Sequence, residues 1–269
     1  MFPGHWASVR SSIHSERRGT DDCLYCLCPQ NPFDNPAHPE DIRPPRFMKI
    51  TTTLASCRTP DGAPLVLQEH DGHYFLKVGG VQLMSTTASS SEQHMAELAC
   101  GSMPARPRIL IGGLGFGFTL RRVLELCPPD AIVDVAELLQ EVVDWNREFL
   151  TSVNGLLVDD PRVRIHTRDV AELIDRAGQN RYHAILLDVD NSPDPLVQKG
   201  NARLYNRGGI ERTKAALHPG GRVVFWSANP DKDFARSLER CFKNVECIGA
   251  KAYPKAKRFT HTLFVADRD

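Results

Sequence analysis

Strand-like runs alternating with helical periods, a glycine-rich break after the first of those runs, and acidic residues at the ends of the later ones predict an α/β protein. Five short apolar runs carry the first observation: I-L-I at 109–111, A-I-V-D-V-A at 131–136, V-R-I-H at 163–166, A-I-L-L-D-V at 184–189 and R-V-V-F-W at 222–226. Between and after them lie amphipathic stretches at 118–127, 138–150, 169–178, 207–217 and 231–242. Runs that are apolar on both faces and are joined through helices belong to a mostly parallel sheet covered on each side. The last two runs, N-V-E-C-I-G and R-F-T-H-T-L-F-V-A, have no helix between them. They read as an antiparallel pair that completes a seven-stranded sheet.

The second observation is R-I-L-I-G-G-L-G-F-G, from Arg108 to Gly117. A strand that stops at glycines lets backbone N–H groups approach a ligand, and the helix that follows adds the positive end of its dipole. Such a turn cradles a nucleotide, or else is a tight strand-to-helix connection with no ligand.

The third observation separates those readings. In an open parallel sheet, ligands bind beyond the carboxyl ends of the strands. Glu137 follows the second run, Asp169 the third, and Asp188 and Asp190 the fourth. An acid after the second strand suits ribose hydroxyls, although a solvated glutamate at a helix start looks the same. Asp169 reads equally as a helix N-cap. Asp188 ends an apolar run and enters the loop V-D-N-S-P-D-P, and a carboxylate emerging from a buried strand commonly serves chemistry.

Ahead of this region, L-V-L-Q-E-H, H-Y-F-L-K-V and V-Q-L-M-S are separated by Asp71-Gly72 and Gly79-Gly80. These are hairpin signals, so a small antiparallel β unit is expected. Ser90 and Ser91 are placed to cap a helix carrying Glu92, His94, Met95 and Leu98, which stops at Gly101 and Pro104. The expected organisation is an arm over 1–47, a β-hairpin unit with its helix over 48–104, and a nucleoside-binding domain over 105–269. The arm is crowded with Pro29, Pro32, Pro36, Pro39, Pro44 and Pro45 and has no period. It reads as disordered, and folded-looking sequence begins at Met48, which marks that residue as a candidate true start. Cys23, Cys26, Cys28 and His38 in the arm lack the second ligand pair of a zinc site, so no metal is expected.

Composition narrows the partners. The 269 residues include 41% hydrophobic side chains, enough to bury a core without staples, and 33 basic residues balance 33 acidic ones. No broad field favours nucleic acid or an anionic membrane. Lys251, Lys255, Lys257 and Arg258 form one local basic run, which reads as a solvated loop, and no nucleic-acid partner is expected. No apolar run reaches the roughly 20 residues of a membrane span, and the first residues lack the apolar core of a secretory signal. A cytoplasmic protein is expected. Its cysteines are expected to be free thiols, with Cys100, Cys127, Cys241 and Cys247 inside apolar segments.

The segments R-I-L-I-G-G-L-G-F-G, V-A-E-L, D-P-R-V-R-I-H-T-R-D-V, A-I-L-L-D-V-D-N and L-H-P-G-G-R-V-V-F-W resemble, in order, the motifs of the spermidine-synthase-like polyamine aminopropyltransferases, within the Rossmann-like S-adenosylmethionine-dependent methyltransferase fold. The resemblance spans roughly Ala63 to Ala266 and includes the hairpin unit, which plain methyltransferases usually lack. It implies that Gly112, Gly113, Gly115 and Gly117 wrap the donor tail, Glu137 holds the ribose, Asp169 the adenine amino group, and Gln82 faces the nucleoside. Asp188 matches the family aspartate that receives the proton of the attacking amine. The donor would be decarboxylated S-adenosylmethionine, or S-adenosylmethionine itself, with no metal. Glu92, Asp190, Asn191 and Tyr205 fall on the acceptor side, where a small-molecule amine would bind. Family members often form homodimers, which nothing in the patterning tests.

The chain departs from the family pattern at three places. Gly115 stands where the synthases have an aspartate in G-G-G-D-G-G, Asn191 stands where they have a second aspartate, and Glu92 lies near their helix histidine or glutamine. Loss of the loop acid removes a like-charge clash with intact S-adenosylmethionine. Three readings stay open: aminopropyl transfer to an amine, methyl transfer to a small nucleophile, and a nucleoside-binding protein without turnover.

Overall fold

The computed structural model describes residues 49–189 and 202–269. The expected arm with its cysteine cluster, and the candidate residues Asp190 and Asn191, lie outside the described residues.

Two sheets organise the chain. Strands β1 (Thr52–Arg58), β2 (Pro64–His70), β3 (His73–Val78) and β4 (Val81–Ser85) form an antiparallel sheet in that order. Its two tight turns follow from their residues: Asp71 and Gly72 have φ of 55° and 76°, Gly79 and Gly80 of 55° and 85°. Two successive positive φ values match the twist of the flanking strands. Strand β1, T-T-L-A-S-C-R, is an addition to the expected hairpins. It is a half-exposed edge paired with β2 and interrupted by a bulge between Thr53 and Ala55, so its pattern is too polar to announce a strand.

Helix α1 (Ser90–Cys100) follows. Its N-cap is Ser89, whose carbonyl accepts from Gln93 N–H at 3.2 Å. Ser90 and Ser91, expected as caps, therefore occupy the first turn.

The second sheet contains β5 (Arg108–Gly112), β6 (Ile132–Glu137), β7 (Val163–Thr167), β8 (Tyr182–Leu187), β9 (Leu217–Ser227), β10 (Asn244–Ala250) and β11 (His261–Asp267), in the order β10-β11-β9-β8-β5-β6-β7. Strands β5 to β9 pair in parallel, whereas β11 is antiparallel to both β9 and β10. Helices α2 (Phe118–Leu126), α3 (Gln140–Glu148), α4 (Thr151–Asn154), α5 (Val170–Ala177), α6 (Ala202–Tyr205), α7 (Arg207–Ala216) and α8 (Lys232–Glu239) fill the connections.

Alternate strand residues feed opposite layers. Ile109, Ile111, Val133 and Leu186 join Met95, Leu120 and Val143 on one face, while Leu110, Ile185, Leu187 and Phe225 join Ile174, Ile210 and Leu238 on the other. A third apolar cluster, including Leu65, Leu76, Phe116 and Trp145, packs the small sheet against α2 and α3. Strand order reverses at β5, which has β6 on one side and β8 on the other. That reversal opens the crevice in which α/β sheets bind ligands.

Two further expectations are corrected. Strand β9 begins at Leu217 rather than 222, because H-P-G-G is absorbed into an irregular stretch between the Tyr182–Leu217 and Ala184–Arg222 pairs, with Gly220 at φ 75°. The five described cysteines are all free, yet only Cys100 and Cys127 are buried. Cys241, between Glu239 and Asn244, is half-buried, and Cys247 is exposed because it lies on an edge strand, β10. Among the described residues no helix is long and apolar enough to cross a membrane.

Candidate active site

The glycine loop leaves β5 in contact with the end of β8. Asp188 N–H donates to Gly112 O at 2.9 Å, and Gly113 N–H donates to Ala136 O at 2.8 Å. Gly113 has φ 93°, and a Cβ added there would lie 2.1 Å from Asp188 O. Only glycine lets these two main chains touch.

The other loop glycines divide by role. Gly113 and Gly115 line a cavity of about 500 Å³ at the strand tips, within the size range of small-molecule sites. Gly112 does not line it. A Cβ there would meet Leu187, Val170 and Val189 at 2.9 to 3.1 Å, so its smallness serves packing. Gly117 is also outside the wall and is the left-handed N-cap of α2. Of the four glycines expected to wrap a ligand, Gly113 and Gly115 are therefore the two at the cavity wall, with Gly112 and Gly117 shaping the loop behind them.

Glu137 ends β6 and is 8% exposed. Its Oε2 accepts from Leu114 N–H and its Oε1 from Leu139 N–H, both at 3.0 Å. The side chain ties the glycine loop to the start of α3. Burial raises its pKa above the ordinary carboxyl range, opposed by these backbone donors. Asp169 caps α5, accepting from Ala171 N–H at 2.8 Å through Oδ1. Its Oδ2 lies 2.6 Å from Arg203 Nη2, an ion pair without hydrogen-bond alignment.

Glu137, Asp169, Asp188, Gln82 and Glu92 all line the one cavity. Glu92 is 7% exposed and accepts from Ser91 Oγ at 2.5 Å. Desolvation raises its carboxyl above the ordinary range, with the Ser91 bond acting in the other direction. Tyr205, expected at the acceptor pocket, is absent from the wall. Its ring packs 5.3 Å from Phe234 and 5.9 Å from Phe225 in an aromatic cluster on the sheet face.

Several wall residues carried no signal in the sequence. Met84 on β4 covers the loop: a Cβ on Gly115, φ 50°, would lie 2.7 Å from Met84 Cε and 2.9 Å from Sδ. Behind the loop and outside the wall, Asn146 Nδ2 donates to Gly115 O at 2.8 Å, and Asn154 Nδ2 donates to Phe116 O. A buried asparagine inside helix α3 is the one hint the sequence offered, because asparagine is a poor helix former. Trp226, at the end of β9, and His261, at the start of β11, have ring centres 4.8 Å apart with planes tilted by 34°, and both line the cavity. Burial lowers the His261 pKa, favouring its neutral ring. Trp226 Nε1 and Arg168 Nε are buried without a hydrogen-bond partner among the described residues.

A seven-stranded sheet of this order, with bare backbone after its first strand and acids beyond the next ones, is a Rossmann-like methyltransferase fold, extended by a four-stranded N-terminal sheet. Comparisons with known proteins then narrow the likeness. The chain is 25% identical over 190 residues to spermine synthase of Arabidopsis thaliana, covering 70% of this chain and 50% of that protein. It is 33% identical over 146 residues to putrescine N-methyltransferase 2 of Nicotiana tabacum, covering 54% and 39%. Spermidine synthase from Thermotoga maritima superposes with a TM-score of 0.66 at 21% identity, over 81% of this chain and 73% of that one. The chain spans half the length or less of these two curated relatives. No family model matches. In sequence and fold the chain is spermidine-synthase-like, and the resemblance read from its motifs is borne out.

Proposed function

We propose that the protein is a transferase that moves an aminopropyl group from decarboxylated S-adenosylmethionine to a small amine. The observation that carries this reading is the convergence of Glu137, Asp169 and Asp188 on one cavity whose floor is the main chain of Gly113 and Gly115. The likeness to synthases and transferases of polyamines supports it.

The donor supplies a carbon made electrophilic by the adjoining sulfonium. Glu137 has both oxygens engaged by backbone donors, yet each retains a lone pair for a ribose hydroxyl. That anchoring fixes the acceptor oxygens before a nucleoside arrives. Asp169 Oδ2, beside Arg203, faces the adenine amino group in the same way. Gln82 closes the cavity from the small sheet.

Asp188 acts as the proton acceptor. An alkyl amine is mostly protonated at neutral pH, with a pKa of about 10, and only its neutral lone pair attacks carbon. The C–N bond forms as the C–S bond breaks, the electron pair returns to sulfur, and the proton passes to the Asp188 carboxylate. Bringing Asp188 against the glycine loop positions this base beside the donor.

One observation favours methyl transfer from intact S-adenosylmethionine as a second reading. The loop presents Gly115 under the Met84 thioether and so offers no acid there to oppose a donor carboxylate. Calorimetry with both donors decides: the first reading expects the decarboxylated donor to bind at least tenfold tighter, about 1.4 kcal/mol, and mass spectrometry to find an aminopropylated amine. Tighter binding of the intact donor with a methylated product overturns it.

A further inference from the structure

The loop between β10 and β11, residues 251–260, carries Lys251, Lys255, Lys257 and Arg258 and no acidic residue. None of these four cations is ion-paired among the described residues. Lys251 Nζ instead lies 5.7 Å from the centre of the Phe259 ring.

This loop is built into the fold. Ala256 is buried, and its N–H donates to Tyr253 O at 3.0 Å. Thr260 N–H donates to Ala250 O at 3.0 Å, and Ser90 N–H at the start of α1 donates to Ala252 O at 3.1 Å. The Phe259 ring lies over Gly249, where a Cβ would meet it at 2.8 Å. Held in this way, the loop contributes Ala252 and Thr260 to the cavity wall, next to His261. Lys251 adjoins one of these residues and Arg258 lies two positions from the other.

The loop at the rim of the cavity therefore carries four cations, while Glu92 and Asp188 line the cavity itself. Unpaired charge of one sign beside a cleft repels like-charged ligands and gathers opposite ones. A simple diamine is doubly positive at neutral pH and meets repulsion at that rim. A molecule with an amine at one end and an anion at the other matches both zones.

Building on the transferase reading above, we propose that the acceptor is a small primary amine that also carries a carboxylate or phosphate. Lys251 and Arg258 hold the anion, and the amine is presented to Asp188.

The test is calorimetric titration of the protein, saturated with methylthioadenosine, with putrescine, γ-aminobutyrate and aminopropyl phosphate. At least one anionic amine is expected to bind tenfold or more tighter than putrescine, and the two anionic arms separate carboxylate from phosphate. The advantage should shrink at about 0.5 M salt, where rim charges are screened. It should also vanish in a Lys251→Ala, Arg258→Ala double variant whose methylthioadenosine affinity is unchanged, and survive in Lys251→Arg. Equal or tighter binding of putrescine, or an unchanged ranking in the double variant, overturns the proposal. Bound methylthioadenosine with putrescine preferred sinks the acceptor assignment alone, whereas failure of methylthioadenosine to bind sinks the nucleoside-transfer reading along with it.

Discussion

Replacing Gly113 by alanine puts a methyl group 2.1 Å from the carbonyl oxygen of Asp188, where main chain already touches main chain. No rotamer relieves the collision, so the ends of β5 and β8 must part by about 1 Å. Two costs add. The positive φ of 93° penalises any residue with a Cβ by about 1–2 kcal/mol, and overpacking of a close contact adds about 1–3 kcal/mol. Gly72→Ala isolates the first cost, because Gly72 has φ 76° and nothing lies within 4 Å of its added Cβ. Urea unfolding of both variants should show Gly113→Ala less stable than Gly72→Ala by the collision cost, about 1–3 kcal/mol. The same displacement moves Asp188, so transfer should fall by about a hundredfold. Equal stability of the two variants, with full activity in Gly113→Ala, refutes the close approach.

Three other outcomes are expected. Asp188→Asn keeps the shape but not the base, so methylthioadenosine affinity should stay within about twofold while turnover drops by roughly 10² to 10⁴; unchanged turnover would remove Asp188 from the chemistry. Glu137→Gln must set an amide N–H against one of the two backbone donors it now accepts from, at Leu114 or Leu139. A loss of about 1–3 kcal/mol in chemical denaturation is expected, together with weaker nucleoside binding in calorimetry. Glu92 bears on pH. Its folded pKa is raised by burial, so its stabilising contribution is complete at pH values below its unfolded pKa and is lost as pH rises through the folded one. Glu92→Gln should therefore gain thermal stability over the natural chain progressively towards neutral pH, and a melting-temperature difference independent of pH would contradict that assignment.

The large sheet was legible because its strands are apolar on both faces and its connections are helical. The small sheet was legible because Asp71-Gly72 and Gly79-Gly80 demand tight turns. One edge was harder to read: β1 is half-exposed, and its residues answer to pairing rather than to burial. At the site, position beyond a strand tip was enough to find Glu137, Asp169 and Asp188. Met84, Trp226 and His261 escaped notice because each reaches the cavity from a separate part of the chain. Tyr205 shows the converse, a residue near the right loop in sequence whose ring packs with Phe225 and Phe234.

The thioether of Met84 resting on Gly115 couples two distant stretches of chain. A side chain in the loop must push the flexible end of Met84 aside or be met by a shorter residue on the opposing strand, and the second route runs through paired replacements. A library randomised at both codons should return survivors in which large and small side chains trade places, and independent assortment at the two sites would deny the coupling.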